Sequence, residues 1–164
     1  MTVELRRATP ADHDAVSRVV VAAYAPFTRG RHDDYVESLA DSARRDLEAE
    51  LWVATDDGDG EVLGSVTVCP PGSAWREIAT EGEAEFRTLA VHPAAQGRGV
   101  GAALLDLVER RARVEGDTAI VLSSLPTMTA AHRLYERGGY RRAPERDWQP
   151  RPGVDLVAFV KELA

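Results

Sequence analysis

The sequence of 164 residues contains one cysteine, Cys69, and one lysine, Lys161. A single cysteine cannot form an internal disulfide, and it cannot supply a cysteine-based zinc cluster. The sequence also has no uninterrupted apolar run near the roughly 18 residues that a membrane span needs. Its first residues lack the apolar core of a signal peptide, so we expect a cytoplasmic protein.

Basic residues are outnumbered by acidic ones. Lys and Arg total 20 and Asp and Glu total 27, which gives a formal net charge of −7. Nucleic acids and anionic membranes are bound by basic surfaces, so we expect neither as a partner. The apolar fraction of 44% and charged fraction of 29% are typical of a soluble globular protein. The length predicts a single domain over residues 1–164.

Hydrophobic periodicity and turn residues predict one α/β domain with a mixed sheet, in the element order βααβββαβαββ. The predicted strands are 3–8, 51–55, 61–69, 83–91, 118–122, 140–142 and 154–161. The predicted helices are 10–24, 33–50, 100–115 and 127–137. Two connections are long, namely 70–82 and a segment rich in proline and arginine at 144–153. A connection as long as 70–82 is often functional.

The segment 96–101, Gln-Gly-Arg-Gly-Val-Gly, opens the predicted helix that begins at Val100. The start of a helix presents about four backbone N–H groups without intrahelical partners, together with the positive end of the helix dipole. Glycines let a phosphate approach those groups because no Cβ intervenes. The segment therefore predicts an anion site, and a pyrophosphate is the ligand that it suits best.

The residues around the glycines bear on which kind of phosphate site this is. The P-loop pattern is absent because no lysine lies near the segment. Gly97, Gly99 and Ala102 satisfy the dinucleotide pattern GxGxx(G/A), but residues 92–96 separate them from the preceding strand. The strand 118–122 is followed by serines rather than by the acidic residue that holds a ribose. A third alternative is that the glycines only permit close packing of the helix on a strand.

Two segments resemble the motifs of one family. Residues 87–93, Arg-Thr-Leu-Ala-Val-His-Pro, followed by 96–101, resemble motif A of the GNAT N-acetyltransferase superfamily. Residues 131–140, Ala-His-Arg-Leu-Tyr-Glu-Arg-Gly-Gly-Tyr, resemble its motif B. The predicted order of elements also resembles the family's fold. That fold implies a mixed, mostly antiparallel sheet that is splayed between its fourth and fifth strands, with helices on both faces.

The resemblance implies acetyl-CoA as the cosubstrate and no metal. The glycine segment would bind the pyrophosphate, with Arg98 as an added cation. The pantetheine arm would pair with the main chain of Leu89 and Val91 like an added strand. An N–H group there would polarise the thioester carbonyl. The residues implied in coenzyme binding are Leu89, Ala90, Val91, Gln96, Gly97, Arg98, Gly99, Val100, Gly101 and Ala102. Met128 stands where many family members have an asparagine that contacts the coenzyme.

The resemblance also implies two proton-handling residues for transfer of an acetyl group to a primary amine. The acceptor ammonium must lose a proton before it attacks the thioester, and the departing thiolate must gain one. Glu85, four residues before Leu89, would act on the amine, directly or through water, and Tyr135 would protonate the thiolate. Alternatives stay open. In one alternative, Glu83 and Glu85 only lie on the solvated face of a strand. In another, Glu83 rather than Glu85 is the base. Tyr135 could likewise be an ordinary core aromatic.

The acceptor is predicted less directly. Tyr24, Phe27, Tyr35, Trp75 and Glu83 are the candidate pocket residues, because they lie in or near segments where the family varies its acceptor site. Their acidic neighbours favour a small cationic amine. Two alternatives are a protein or peptide amine and a module that binds acyl-CoA without catalysis. A homodimer formed through the C-terminal strands, within 140–161, is also compatible with the sequence.

Two further residue types are expected to carry no chemistry. Cys69 has no identifiable base beside it, so we expect an inert thiol. The four histidines, His13, His32, His92 and His132, show no metal-ligand spacing. We therefore expect no metal site.

Overall fold

The computed structural model describes residues 2–28 and 33–164; His32 lies outside these residues. Within them the helices are α1 (His13–Tyr24), α2 (Asp34–Leu39), α3 (Ser42–Glu48), α4 (Val100–Val114) and α5 (Thr129–Arg137). The strands are β1 (Val3–Arg7), β2 (Glu50–Asp56), β3 (Val62–Cys69), β4 (Glu83–Val91), β5 (Ala119–Ser124), β6 (Arg141–Arg142), β7 (Trp148–Arg151) and β8 (Val154–Glu162). No helix of this described part combines the length and apolar character that a bilayer crossing requires.

The strands form a mixed sheet in the order β1-β2-β3-β4-β5-β8-β6, with β7 paired to β8. β4 and β5 are parallel, whereas the other paired strands are antiparallel. The pairing of β4 with β5 joins 83–85 to 119–121. Residues 86–91 of β4 have no registered partner in β5, although both strands are fully described. The predicted opening between the fourth and fifth strands is therefore confirmed.

Helices cover both faces of the sheet, as the fold prediction requires. On one face, α1 buries Val16 and Val20 in a cluster with Leu51 and Val53 of β2. On the other, the apolar stripe of α4 packs in a cluster with strand residues such as Phe86 and Ile120. Because α4 crosses from β4 to β5, these two strands can run in parallel. The glycine segment at its start is thereby held at the carboxyl end of β4.

Two details differ from the sequence prediction. The helix predicted over 33–50 is in fact two helices, α2 and α3. The side chain of Asp41 accepts a hydrogen bond from the backbone N–H of Arg44 and so caps α3. The segment 144–153 contains a strand, β7, that forms a hairpin with β8.

A bulge lies within the part of β4 that has no registered partner in β5. Ser65 of β3 faces Ala90 and Thr67 faces Arg87, so two residues of β4 oppose one of β3. One of these two is Thr88, whose φ is 52°. Among the described residues other than glycine, it is the one with a positive φ. Such a conformation costs about 1–3 kcal/mol, and bulges redirect a strand and its side chains. The bulge therefore turns the main chain of 89–91 away from regular pairing.

Candidate active site

The glycine segment leaves open space at the start of α4. Gly97 and Gly99 have φ of 79° and 80°, in the left-handed region, and Gly99 is the N-cap of the helix. A Cβ placed on either residue would meet no heavy atom within 4 Å. Glycine is required here by the backbone conformation rather than by packing. The first N–H groups of α4, from Val100 onward, therefore border a space that an anion can enter.

Gly101 has a different reason to be glycine. A Cβ at this position would lie 2.7 Å from Cδ2 of Leu134, so a small residue lets α4 approach α5 closely. One alternative drawn from the sequence is that the glycines permit close packing of the helix on a strand. At Gly101 the close packing is instead between two helices. Nearby, the guanidinium of Arg98 lies 3.6 Å from the carboxylate of Asp56 at the end of β2. Asp56 thus restrains the side chain of Arg98 within the glycine segment.

Tyr135 lies on α5 and is 4% exposed. The ring centroids of Phe86 and Tyr140 are each 6.1 Å from its own, and that of Phe159 is 5.6 Å away. Burial raises the pKa of the Tyr135 phenol, and the neighbouring Tyr35 raises it further. The phenol is therefore protonated at neutral pH, which is the state that a proton donor needs.

Glu85 of β4 anchors the connection 70–82. Its side chain is buried, and its Oε1 accepts hydrogen bonds from the backbone N–H groups of Glu77, Ile78 and Ala79 at 2.9, 3.0 and 3.0 Å. Its Oε2 is also buried and has no hydrogen-bond partner among the described residues. A catalytic role for Glu85 stays a prediction, whereas its anchoring contacts are evident.

Two other side chains of β4 also form ion pairs, one with the same connection and one with Arg146. Arg87 forms an ion pair with Glu77, and its guanidinium lies 5.3 Å from the ring centroid of Trp75. Glu83 binds both terminal nitrogens of Arg146, at 2.9 and 2.8 Å. The Arg146 contact is the main cause that lowers the pKa of Glu83 to about 2. Glu83 is therefore an ionised structural carboxylate, poorly suited to accept a proton near neutral pH.

Two adjoining cavities lie between this connection, α2, α3 and the β7–β8 hairpin. They have volumes of about 320 and 290 Å³ and share Ser38, Arg44 and Trp75. The larger is also lined by Tyr35, Leu39, Glu48, Ala74, Glu77, Arg87, Trp148, Pro150 and Arg151. The smaller is also lined by Asp34, Glu37 and Asp41. Its acidic residues agree in sign with the cationic acceptor considered from the sequence.

The structure brings part of the predicted pocket together. Tyr35 and Trp75 line the larger cavity, and the buried ring of Tyr24 lies 6.5 Å from that of Tyr35. Phe27 and Glu83 are not among the residues that line these two cavities. Sequence reasoning did not identify Glu77, Arg87, Trp148 or Arg151. The proline- and arginine-rich composition of 144–153 was the available signal for the last two, whereas Glu77 had none.

Cys69 is buried at the end of β3, and burial raises the pKa of its thiol. A protonated, enclosed thiol is a poor nucleophile, which favours the inert role. Within residues 2–28 and 33–164, no group of three His, Cys, Asp or Glu side chains is arranged to hold a metal ion.

Comparison with known proteins agrees with the fold. The sequence model of the acetyltransferase (GNAT) family matches residues 17–140. The chain therefore belongs to the acetyltransferase (GNAT) family. A curated relative, mycothiol acetyltransferase of Beutenbergia cavernae, is 34% identical over 90 residues. That match spans 55% of this chain but only 28% of the relative.

Solved structures superpose over nearly the whole chain. A GNAT-family protein from Desulfovibrio desulfuricans is 27% identical, with a TM-score of 0.73, and the match covers 99% of this chain and 100% of that one. The PaiA N-acetyltransferase of Thermoplasma acidophilum, solved with coenzyme A, is 16% identical, with a TM-score of 0.72 and coverage of 99% and 100%. The second likeness concerns the fold alone.

Proposed function

We propose that this protein transfers an acetyl group from acetyl-CoA to an amine by direct attack of the amine on the thioester. The observation that carries the proposal is the opening of the sheet beyond Glu85, with the glycine segment at its end. The unpaired main chain of 89–91 can pair with the amide groups of a pantetheine arm. The open space beside Gly97 and Gly99 suits a pyrophosphate at the start of α4.

The family relationship supports the donor and the acetyl transfer, and the site supports the rest. Bound acetyl-CoA would supply a thioester carbonyl next to the bulged part of β4. An N–H group of Leu89 or Val91 would then stabilise the oxyanion that forms during attack. Tyr135 would protonate the departing thiolate, because its phenol is held in the protonated state.

The proton lost by the amine needs a carboxylate or a water molecule to receive it. Glu85 is the residue that the family resemblance implies, but its Oε1 is taken by three N–H groups and both oxygens are enclosed. We therefore propose that any contribution of Glu85 is indirect. It would hold the 77–79 segment, and with it the wall of the larger cavity.

Thermal unfolding with acetyl-CoA, and separately with NAD, tests the donor. A ligand at a hundredfold excess over its dissociation constant stabilises the fold by about 2.7 kcal/mol. We expect stabilisation by acetyl-CoA and not by NAD; stabilisation by NAD alone would favour the dinucleotide alternative. Release of free thiol from acetyl-CoA across a panel of amines then tests the reaction. Binding of acetyl-CoA without thiol release on any amine would support the non-catalytic module instead.

A further inference from the structure

The larger cavity contains one more positive charge than negative charge. Its charged lining residues are Arg44, Glu48, Glu77, Arg87 and Arg151. Arg44 pairs with Glu48, and Arg87 pairs with Glu77. Arg151 has neither an ion pair nor a hydrogen bond from its side chain to any described residue. One guanidinium is thus left for a ligand.

Arg151 is placed at the cavity by the hairpin that sequence reasoning missed. It is the last residue of β7 and pairs with Val154 of β8, so its backbone position is fixed by strand pairing. Burial raises the pKa of Tyr35, while the charges of Arg87 and Arg151 lower it. Tyr35 and Arg151 therefore line the same cavity, and the charge of Arg151 reaches the Tyr35 side chain.

A second guanidinium makes the surroundings more positive. Arg45 of α3 is 0% exposed and donates to Oγ1 of Thr67 at 2.7 Å and to Oγ of Ser42 at 3.2 Å. Its Nε has no partner, and no carboxylate pairs with it within the described residues. Burial lowers its pKa to about 10, and the nearby charge of Arg87 acts in the same direction. A buried cation without a carboxylate therefore adds to the positive potential around Arg87, which lines the larger cavity.

Glu77 offers the opposite charge next to β4. Its Oε1 contacts Arg87, and the side chain is 22% exposed, so the carboxylate is not fully enclosed. Burial raises the pKa of Glu77; Arg87 opposes that rise, and Glu85 adds to it. A partly desolvated carboxylate that solvent still reaches can bind an ammonium group and accept its proton.

We propose that the acceptor is an amine that also carries a carboxylate, with the carboxylate bound by Arg151 and the amine beside Glu77. This inference rests on the proposed acetyl transfer. A guanidinium binds a carboxylate through two parallel N–H bonds, which fixes the acceptor's orientation as well as its position. The cationic amine expected from the sequence thereby becomes a zwitterion.

The reaction balances with these groups. The ammonium gives one proton to Glu77, and the free amine nitrogen attacks the carbonyl carbon. A C–N bond forms, the C–S bond breaks, and the electron pair leaves on sulfur, which takes the Tyr135 proton. The second proton lost by the nitrogen restores the phenol. The products are the amide, free coenzyme A and one proton, which Glu77 returns to solvent.

Matched triplets of acceptors test the inference in the thiol-release assay. Each triplet contains an amino acid, its carboxamide and its decarboxylated amine, for example phenylalanine, phenylalaninamide and phenethylamine. A hydrogen-bonded charged group contributes about 1.5–3 kcal/mol, so we expect kcat/KM to be roughly 10- to 100-fold higher for the amino acid. Arg151→Gln should remove that preference by raising KM for the amino acid only. Arg18→Gln, at a residue of α1 outside both cavities, is the matched control and should change nothing.

Glu77→Gln separates the amine end from the carboxylate end. It should lower kcat for all three members of a triplet and abolish the fall of kcat at low pH, because the base must be ionised to act. Near Glu77 the charged or titratable groups are Arg87 and Glu85 on β4, Tyr35 on α2, and Arg44, Glu48 and Arg151 across the cavity. The Arg151→Gln control shows how far a neighbouring charge shifts that pH profile. An unchanged acidic limb in Glu77→Gln would refute its role.

The outcomes distinguish this inference from the proposed function. Equal kcat/KM for all members of every triplet, or an equal loss on all of them in Arg151→Gln, would overturn the carboxylate site while leaving amine acetylation intact. Absence of thiol release with every amine, despite stabilisation by acetyl-CoA, would overturn the proposed function. Turnover restricted to the amino acids, lost in Arg151→Gln but kept in Arg18→Gln, would establish the inference.

Discussion

Replacing Glu85 by alanine removes the carboxylate that accepts three backbone hydrogen bonds from residues 77–79. The three donors belong to the connection that carries Trp75 and Glu77, whereas Glu85 itself belongs to β4. The substitution therefore distinguishes two roles. A catalytic base would be lost without effect on stability, but an anchor would be lost together with the position of the cavity wall.

The size of the effect follows from the contacts. A buried polar group left without its partner costs about 1–3 kcal/mol. Some of the three N–H groups would bind water instead of Glu85. We therefore expect the free energy of unfolding to fall by about 3 kcal/mol, which is less than three such costs added together. For a chain of this size, about 2–4 °C in Tm accompanies each kcal/mol, so Tm should fall by about 6–12 °C.

Chemical unfolding measures the free energy, and amide hydrogen exchange at 77–79 locates the loss. Glu81→Ala, in the same connection and exposed, is the control and should stay within about 0.5 kcal/mol of the parent protein. In the thiol-release assay, Glu85→Ala should raise KM for the amine. Unchanged stability together with a large fall in kcat alone would refute the anchoring role and restore Glu85 as the direct base.

Three further substitutions test the coenzyme site and the fold that supports it. Tyr135→Phe keeps the buried ring but removes the proton donor, so kcat should fall at least about tenfold while calorimetry detects unchanged acetyl-CoA affinity; the opposite pattern would reassign Tyr135 to packing. Gly64→Ala places a Cβ 2.8 Å from the backbone oxygen of Ala90, so unfolding should show a loss of about 1–3 kcal/mol and weaker coenzyme binding. Glu83 has a lowered pKa of about 2, so its ion pair stabilises the fold above the ordinary carboxyl pKa. That stability is lost as pH falls from about 4 toward 2, and Arg146→Gln should flatten this part of a stability–pH curve.

The proposed donor half of the site has signals that are local in the sequence. The glycines at 97 and 99 are adjacent to the helix that they open, and the pattern 89–91 lies just before them. The family that these motifs resemble also implies the element order and the opening of the sheet. Local sequence therefore indicates the pyrophosphate site, the strand beside it and the fold that positions both.

The contacts around the proposed acceptor cavity could not be predicted in the same way, because they join distant segments. Nothing local shows that Glu85 would bind the backbone of 77–79, or that Glu83 would bind Arg146. The break between α2 and α3 was hidden by apolar residues that kept helical spacing across Asp41, whose role as a cap becomes visible only in the structure. The β7 strand was hidden by Pro150, because proline is tolerated only at the edge of a sheet.

The connection 70–82 and the β7–β8 hairpin form much of the proposed acceptor cavity, while β4 and α4 form the proposed donor site. The two halves of the site therefore lie on parts of the chain that can be exchanged separately. A new connection with different side chains would alter which amine is accepted without touching the glycine segment. A replacement connection would need backbone N–H groups within reach of Glu85 and partners for Arg87 and Arg146. These three side chains make the contacts that hold the present connection in place.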